Sequence, residues 1–431
     1  MYKIINLLSF NEILIIFFPI FLITGPFLTD FIGTYLGLYF LVYCLIKRDF
    51  KEYKNFLFIY FIIIYLYLNL NSIWSFNPKI SFETTLPYLR TVLFIFAFSF
   101  FFKKNLNLYK LFYLVSIFCL LFLFFDSLVQ YLFNYNIFSD HKINISRISS
   151  LFGDKLIMGS YAARLLPIII GLSFIINLKQ RENINLITLI IGGILVILSG
   201  ERTAFFYYLI LIFFYFFLFN KKIVYFSLIC ILLISLMFNI NNSHLTRIFK
   251  YTKTQIEQTS SVYSYRHQLH FLTALNLFYD NKFFGQGIKS FRNLCGQDKY
   301  AQSIKKKITL DLEKTSPNDN NYAIISEFPN GCNTHPHNIY LEFLSELGVL
   351  GFILFIAIFF YVSFKLFYFL KLFFMKKKLQ NYQYASAFML LAVFSSMFPF
   401  VTSGSYFNNW IIFISYIPIA FYLSFMKFRN D

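Results

Sequence analysis

The stretch THPHNIYLEFLSELG, residues 334–348, decides the fold because it closes the long polar region of the chain and opens a strongly apolar run. An apolar run of this length is typical of a membrane helix. His337 and Asn338 therefore fall at a membrane boundary, where polar groups are costly and usually functional. Pro336 suits the first helical position, so we expect His337 in the first turn. There the positive end of the helix dipole favours a neutral imidazole that can accept a proton.

The composition indicates a polytopic, all-α integral membrane protein. Of the 431 residues, 58% are hydrophobic and only 13% are charged. Apolar runs of about 17–25 residues, the length that crosses a bilayer, recur along nearly the whole chain. We predict about twelve spans. They lie at residues 12–28, 31–46, 56–73, 88–102, 109–133, 156–176, 184–199, 203–219, 223–240, 338–370, 382–402 and 407–426.

The basic residues predict the orientation of these spans. A net charge of +18 could indicate nucleic-acid binding, but most basic side chains fall in short loops between apolar runs, so nucleic acid is not an expected partner. The loops that carry them contain Lys47, Arg48, Lys51, Lys54, Lys103, Lys104, Lys110, Lys179, Arg181, Lys221, Lys222, Lys376 to Lys378, Lys427 and Arg429. Under the positive-inside rule these loops and both termini are cytoplasmic, and the polar segment 241–336 is outside.

The chain divides into one integral membrane domain and one external loop domain. Residues 1–140 are predicted N-terminal transmembrane helices, and 141–240 are further transmembrane helices with an arginine turn between two of them. Residues 241–336 are the predicted periplasmic loop domain, and residues 337–431 return to the membrane. Within the loop, residues 263–278 have the apolar spacing of a short amphipathic helix, which we expect to lie against the membrane surface or a neighbouring helix.

Two cysteines lie in the external loop. In a bacterium, Cys295 and Cys332 would face the oxidising periplasm, so we predict a disulfide between them, with two free thiols as the alternative. Zinc binding by Cys332, His335 and His337 is a second interpretation of the same region. No further pair of ligands follows at the usual spacing, so we predict no metal site.

Three arginines map to the external side in this topology. Arg202 follows a tight turn, SGERTA at residues 199–204, and begins a helix, where backbone N–H groups and the dipole favour anions. Its guanidinium can bind two phosphate oxygens at once, although an interfacial arginine can also pair with lipid head groups or with Glu201. Arg266 opens the amphipathic loop helix, and Arg147 precedes another apolar span. Together with His337, such a cluster suits a lipid-linked diphosphate.

The other polar residues near His337 have two interpretations each. His335 could orient His337 or could simply precede a proline at a helix start. Glu342 and Glu346, four residues apart, would share one face of the membrane helix, either for function or because they are bonded within the bundle. The remaining histidines are interpreted as loop or interface residues: His141, His244, His267 and His270.

These elements together resemble the O-antigen ligase family, which includes related oligosaccharide polymerases and protein O-oligosaccharyltransferases. The resemblance is strongest from the His337-Asn338 pair to Gly348, after a long periplasmic loop. Residues 199–204 resemble the arginine turn of the family, and residues 265–287 resemble its loop helix and the glycine turn that follows. Residues 146–159 are similar to its Arg-x-x-Gly-x-Phe region, with a serine where glycine is usual.

The resemblance implies a helical bundle like that of the C-type glycosyltransferases, in the bacterial inner membrane with its active site facing the periplasm. It implies inverting, metal-independent glycosyl transfer without a cofactor, from a glycan on undecaprenyl diphosphate to a hydroxyl of a lipid A-core sugar. Arg202 and Arg266, with Arg147 as a third candidate, would bind the diphosphate. His337 would activate the acceptor hydroxyl. The supporting residues in this carry-over are His335, Asn338 and Glu346.

Other functions stay open at the level of sequence. A polymerase would use another glycan repeat as the acceptor, and a protein O-oligosaccharyltransferase would use a serine. A transporter would be favoured by charges deep in several spans or by inverted repeats. Arg164 and Asp126 lie near span interiors, but no inverted repeat is evident. A membrane scaffold would leave the clustered arginines without a role.

Overall fold

The computed structural model describes residues 8–135, 137, 147–219, 248–249, 251–259, 261–300, 331–375 and 379–429. These residues form helices and no β-strand. In chain order the helices are α1 (Phe10–Ile16), α2 (Phe18–Thr24), α3 (Pro26–Lys47), α4 (Phe56–Ile73), α5 (Pro78–Thr85), α6 (Leu89–Lys104), α7 (Asn107–Phe133), α8 (Met158–Ile175), α9 (Arg181–Ser199), α10 (Arg202–Leu218), α11 (Tyr251–Thr259), α12 (Tyr265–Asp280), α13 (Phe291–Leu294), α14 (Ile339–Phe374), α15 (Asn381–Ser396) and α16 (Asn409–Phe425). The predicted span at 223–240, like His141 and His244, lies outside the described residues.

Eight helices of the described part are long and apolar enough to cross a membrane. They are Pro26–Lys47, Phe56–Ile73, Pro78–Lys104, Asn107–Phe133, Met158–Ile175, Arg181–Ser199, Ile339–Phe374 and Asn409–Phe428. Large apolar side chains on their outer faces are exposed, as with Phe27 at 77% and Phe364 at 72% of full exposure. Such a surface would be covered by lipid in a bilayer. The predicted all-helical membrane architecture is thereby confirmed, and the number of spans stays a prediction.

The N-terminal spans differ from the prediction. In place of spans at 12–28 and 31–46, the chain forms two short helices, α1 and α2, and then the 22-residue helix α3. Pro26 begins α3 and, having no N–H, cannot continue the preceding helix. Gly25 just before it has a φ of +116°, which favours glycine. The indole Nε1 of Trp410 in α16 donates to the Leu22 carbonyl at 2.8 Å, which holds α2 against the bundle.

Helix α14 is broken at Gly348, where the sequence predicts one continuous span. Gly348 has a φ of 66° and a ψ of −169°, and a Cβ there would lie 2.3 Å from the carbonyl oxygen of Phe283. The break exposes backbone groups, which form hydrogen bonds with the loop that follows α12. Gly287 N–H donates to the Glu346 carbonyl at 2.8 Å, and Val349 N–H donates to the Lys282 carbonyl at 2.8 Å. A non-helical segment near the membrane is thus buried against protein rather than lipid.

Loops that the prediction assigns to one side of the membrane contact each other. On the predicted cytoplasmic side, Lys103 pairs with Glu52 at 2.6 Å, and the Lys427 ammonium donates to the Lys103 carbonyl at 2.8 Å. On the predicted outer side, Ser403 N–H donates to the His337 carbonyl at 2.9 Å. These contacts agree with the predicted alternation of loops, and the absolute orientation stays a prediction.

Candidate active site

His337 lies just before α14, not in its first turn as the sequence predicts. Its φ is +57°, and Asn338 is the N-cap. The Asn338 Oδ1 accepts hydrogen bonds from the backbone N–H groups of Tyr340 at 3.0 Å and Leu341 at 3.1 Å. Asparagine is a strong N-cap residue, so the helix starts at Ile339, three residues later than it would with Pro336 as the first helical residue. The Asn338 Nδ2 also donates to the Pro399 carbonyl at 2.9 Å, which ties the helix start to a second loop.

Four histidines from two segments form one cluster. The ring centroid of His337 lies 4.2 Å from that of His335, 5.3 Å from that of His270 and 5.4 Å from that of His267. His267 and His270 are three residues apart on α12, which places them on one helical face. The sequence analysis interprets His267 and His270 as loop or interface residues and does not predict that both contact His337. The available signal in the sequence is the His-x-x-His spacing directly after Arg266.

Burial and mutual repulsion keep these imidazoles neutral. Burial, with smaller contributions from the neighbouring His335, His267 and His270, lowers the pKa of His337 to about 3, although a backbone hydrogen bond at Ser403 acts in the opposite direction. Burial likewise lowers the pKa of His335 and that of His267 to about 4. At neutral pH His337 is therefore an imidazole that can accept a proton.

Asn333 determines which nitrogen of His337 carries the hydrogen. The amide Nδ2 of Asn333 lies 3.0 Å from the His337 Nε2, and the amide Oδ1 accepts from the Thr334 N–H at 2.7 Å. That second bond orients the amide, so Nδ2 donates and Nε2 accepts. The hydrogen of the neutral ring is then on Nδ1. The sequence analysis does not single out Asn333, because its role depends on the left-handed turn at His337.

The histidines line a cavity of about 680 Å³. His267, His335 and His337 form part of its wall, and Glu201 and Arg164 form another part. The remaining lining residues include Thr24, Pro26, Phe152, Lys155, Ser160, Thr203, Ser403 and Trp410. A cavity of this size, with apolar walls and a few convergent polar groups, is typical of a small-molecule site.

The three arginines predicted to bind diphosphate surround this region but are not among the residues that line the cavity. Arg202 begins α10 and donates to the Gln255 Oε1 at 2.9 Å and more weakly to the Thr252 Oγ1 at 3.4 Å. Arg147 donates to the carbonyls of Ser199 at 3.2 Å and Leu156 at 2.9 Å.

Arg266 is exposed in the first turn of α12, one residue before His267. The charges of Arg202 and Arg266 both act on His267 and help to lower its pKa. The two arginines therefore lie close enough to the histidine cluster to act on an anion bound beside it.

Glu201 caps α8 from across the site. Its carboxylate accepts from the Gly159 N–H at 2.8 Å and from the N–H and hydroxyl of Ser160 at 3.3 and 2.7 Å. Burial raises the pKa of Glu201, while the hydrogen bonds from Ser160 and the charge of Arg147 act in the opposite direction. These hydrogen bonds hold the carboxylate at the start of α8.

The two glutamates of α14 each hold a different loop against the helix. Glu342 accepts from the Ser405 hydroxyl and from the Tyr406 N–H, the latter at 2.8 Å. Glu346 accepts from the N–H groups of Lys289 at 2.8 Å and Phe291 at 3.2 Å. Both side chains are buried. Their contacts are those of positioning residues.

A disulfide joins the loop to the segment that leads into His337. Cys295 and Cys332 are bonded, with their Cα atoms 4.9 Å apart. Near them, the Nδ1 of His270 lies 2.6 Å from the Gly331 carbonyl oxygen. Both contacts tie residues 331–332 to the loop domain, and so limit the positions that the His337 segment can take.

The fold and site define a class: a multi-pass helical membrane protein with a histidine-lined cavity formed by its membrane helices together with the loop helix α12. Comparison with known families gives the same answer. Residues 187–356 match the family model described as O-antigen ligase. The matched region contains Arg202, Arg266, His337, Asn338 and Glu346. No curated protein matches the chain.

Residues 187–356 of the chain therefore match the O-antigen ligase family, in agreement with the resemblance drawn from the motifs. This match supports an activity of the ligase or polymerase type in general, in which a glycan is transferred from a lipid-linked donor to a glycan acceptor.

Proposed function

We propose that this protein transfers a glycan from undecaprenyl diphosphate to a hydroxyl of a lipid A-core sugar, at the periplasmic face of the bacterial inner membrane. The observation that carries the proposal is the position of His337 on the wall of a cavity of about 680 Å³. Its imidazole is neutral, because burial is the largest of the effects that lower its pKa to about 3. A neutral imidazole can accept the proton of a sugar hydroxyl during bond formation.

The reaction is a single displacement. The acceptor oxygen attacks the anomeric carbon from the face opposite the diphosphate, and the configuration inverts. As the new carbon–oxygen bond forms, the Nε2 of His337 takes the hydroxyl proton. The bond between the anomeric carbon and the phosphate oxygen breaks, and undecaprenyl diphosphate leaves with the electron pair. To reach Nε2, the acceptor hydroxyl replaces the Asn333 amide, which occupies that nitrogen at 3.0 Å.

Arg202 and Arg266 are proposed to stabilise the charge that develops on the leaving diphosphate. Arg202 begins α10, where the helix N-terminus favours anions. Its bond to Gln255 at 2.9 Å holds the guanidinium in place before substrate binds, so little reorganisation is needed. Two guanidinium groups at the leaving group provide this stabilisation without a metal ion. Arg147, bonded to two backbone carbonyls, is proposed to position the 147–160 segment instead.

The test uses purified protein in detergent with a fluorescent undecaprenyl-diphosphate glycan, lipid A-core and EDTA, followed on a gel. We expect one shifted acceptor band that EDTA does not remove. His337→Ala should abolish the band but keep donor binding, whereas Arg202→Ala should weaken donor binding.

Arg181→Gln provides a control, because Arg181 stacks on Phe174 at 4.1 Å and does not line the cavity. A ladder of longer lipid-linked glycans without lipid A-core would instead identify a polymerase. Full activity in His337→Ala would exclude the proposed base.

A further inference from the structure

Arg164 is a buried cation on the wall of the histidine cavity. It lies in α8, one turn beyond Ser160, and only 9% of its surface is exposed. It lines the same cavity as His337 and Glu201. The O-antigen ligase match begins at residue 187, so Arg164 falls outside the matched region.

The described residues accept few hydrogen bonds from the guanidinium of Arg164. One amino group, Nη1, donates to the Ser160 carbonyl at 3.3 Å. The guanidinium carbon lies 5.1 Å from the centre of the Tyr207 ring. The Nε is buried and has no hydrogen-bond partner in the described part of the chain. A guanidinium has five N–H donors, so most of its hydrogen-bonding capacity is unused.

Arg164 also forms no ion pair with any described residue. Within the described residues, the carboxylates that form ion pairs do so with Lys51, Arg90, Lys103, Lys253 and Lys299, not with Arg164. Glu201, which lines the same cavity, is engaged by the N-terminus of α8. The other lining cation, Lys155, is exposed and adds to the positive charge.

Burying a cation without a counter-charge is unfavourable, and charged side chains in membrane spans are usually retained for function. The packing of Tyr207 against Arg164 supplies a cation–π contact, but it supplies no negative charge. Among the described residues no carboxylate pairs with Arg164, and its side chain lines the cavity, so a ligand in the cavity can supply the counter-charge. An oxyanion is the ligand that an arginine binds best, because two N–H groups can donate to two oxygens.

We propose that Arg164 binds an oxyanion, phosphate or carboxylate, of a substrate held in this cavity. The inference rests on the proposed glycosyl transfer. The oxyanion has two possible sources in that reaction: the diphosphate of the donor, or an acidic group on the acceptor sugar near His337. In both cases Arg164 is a substrate-binding residue inside the cavity, in addition to Arg202 and Arg266 beside it.

The first test separates the two sources kinetically. KM is measured for the donor and for three acceptors: lipid A-core, the same material with its carboxylates amidated, and the same material treated with phosphatase. Arg164→Gln should raise one KM at least tenfold, while Arg181→Gln leaves both KM values unchanged. A raised donor KM assigns Arg164 to the diphosphate.

The alternative result is that Arg164→Gln has a higher KM than wild type for lipid A-core but the same KM as wild type for one of the neutralised acceptors. That result assigns Arg164 to the acidic group that was neutralised or removed in that acceptor. Donor and acceptor KM values within twofold of wild type would overturn the proposal. If Arg164→Gln fails to fold, Arg164→Lys replaces it, because lysine keeps the positive charge but cannot donate to two oxygens at once. The same KM values are then compared with wild type, and the expected rise is smaller.

The second test does not depend on activity. Thermal unfolding is followed with inorganic pyrophosphate, with glucuronate, and with glucose as the neutral control. At least one of the two anions should raise the Tm of the wild type and of Arg181→Gln by several degrees more than that of Arg164→Gln. If no transfer is detected with any acceptor, the proposed function fails while this measurement still decides the role of Arg164. Equal stabilisation of wild type and Arg164→Gln by both anions would overturn it.

Discussion

The side-chain amide of Asn333 donates to the Nε2 of His337 at 3.0 Å. The two residues are four positions apart in the short segment before α14. The left-handed backbone at His337 turns its ring back toward the preceding residues. A residue other than glycine in this conformation is uncommon and often marks a functional site. The nitrogen proposed to take the acceptor proton is therefore held by a neutral donor until the substrate arrives.

Replacing Asn333 by aspartate should shift the pH dependence of transfer. A carboxylate beside His337 favours the imidazolium form and raises its pKa, so the base would be protonated over more of the acidic range. We expect the acid limb of the kcat/KM profile to move to higher pH in Asn333→Asp, with activity partly recovered above pH 8. Asn333→Ala is the control, since it removes the contact without adding charge. Coincident acid limbs in the three proteins would argue against the contact having this role.

The histidine cluster should make the protein less stable in acid. Burial lowers the pKa of His337 to about 3 and those of His335 and His267 to about 4, against roughly 6.5 in an unfolded chain. Between these values the unfolded chain binds protons that the folded protein does not, so the free energy of unfolding falls as the pH is lowered.

For one such histidine the loss between pH 6.5 and pH 5 is about 1.5 kcal/mol. The measurement is Tm against pH in detergent for wild type and His337→Gln. The variant has one fewer titrating group, so its Tm should decrease less between pH 6.5 and pH 5. Parallel curves for the two proteins would show that His337 does not titrate in this range.

The sequence predicts the scaffold more completely than the site. Apolar runs identify most helices because a bilayer imposes one length on each of them. The error at α1 to α3 arises where Gly25 and Pro26 redirect the chain within a long apolar region. The break at Gly348 is likewise invisible to hydropathy, since apolar residues continue on both sides.

The site depends on contacts that periodicity does not report. His337 is predicted from its place at a helix start, whereas His270 reaches it only because the loop folds back and the Gly331 carbonyl meets the His270 ring at 2.6 Å. Arg202 is predicted as a helix-start arginine, and the structure places it there. That its guanidinium meets Gln255, 53 residues further along, could not be predicted from local sequence.

Gly348→Ala should destabilise the junction between α14 and the loop that follows α12. The φ of 66° and ψ of −169° at this position belong to a region that is essentially restricted to glycine and costs other residues roughly 1–3 kcal/mol. The added Cβ would also approach the Phe283 carbonyl oxygen to 2.3 Å. We expect a lower Tm together with a loss of transfer, because the loop helix α12 carries His267 and His270.

The matched control is Gly296→Ala, where the new Cβ would meet nothing nearer than the Cys332 sulfur at 3.8 Å and φ is not in the positive range. Its Tm should stay within about a degree of wild type. A Gly348→Ala protein as stable as Gly296→Ala would mean that the break in α14 is not required.

The Cys295–Cys332 disulfide should stabilise the loop and, through it, the position of His337. The bond closes a loop of 37 residues in sequence, and a cross-link of this span typically contributes about 2–4 kcal/mol. Cys332 lies next to Asn333, so Cys332→Ser should lower Tm and also reduce kcat as the Asn333 amide loses its fixed position. Dithiothreitol should have the same effect on wild type.

Cys119→Ala is the control, since Cys119 is a free, buried cysteine in α7 away from the loop. Dithiothreitol should lower the Tm of Cys119→Ala as it does that of wild type, but should leave Cys332→Ser unchanged because the bond is already absent. If reduction lowered Tm without changing kcat, the disulfide would stabilise the loop domain while Asn338 and Glu346 alone kept His337 in place.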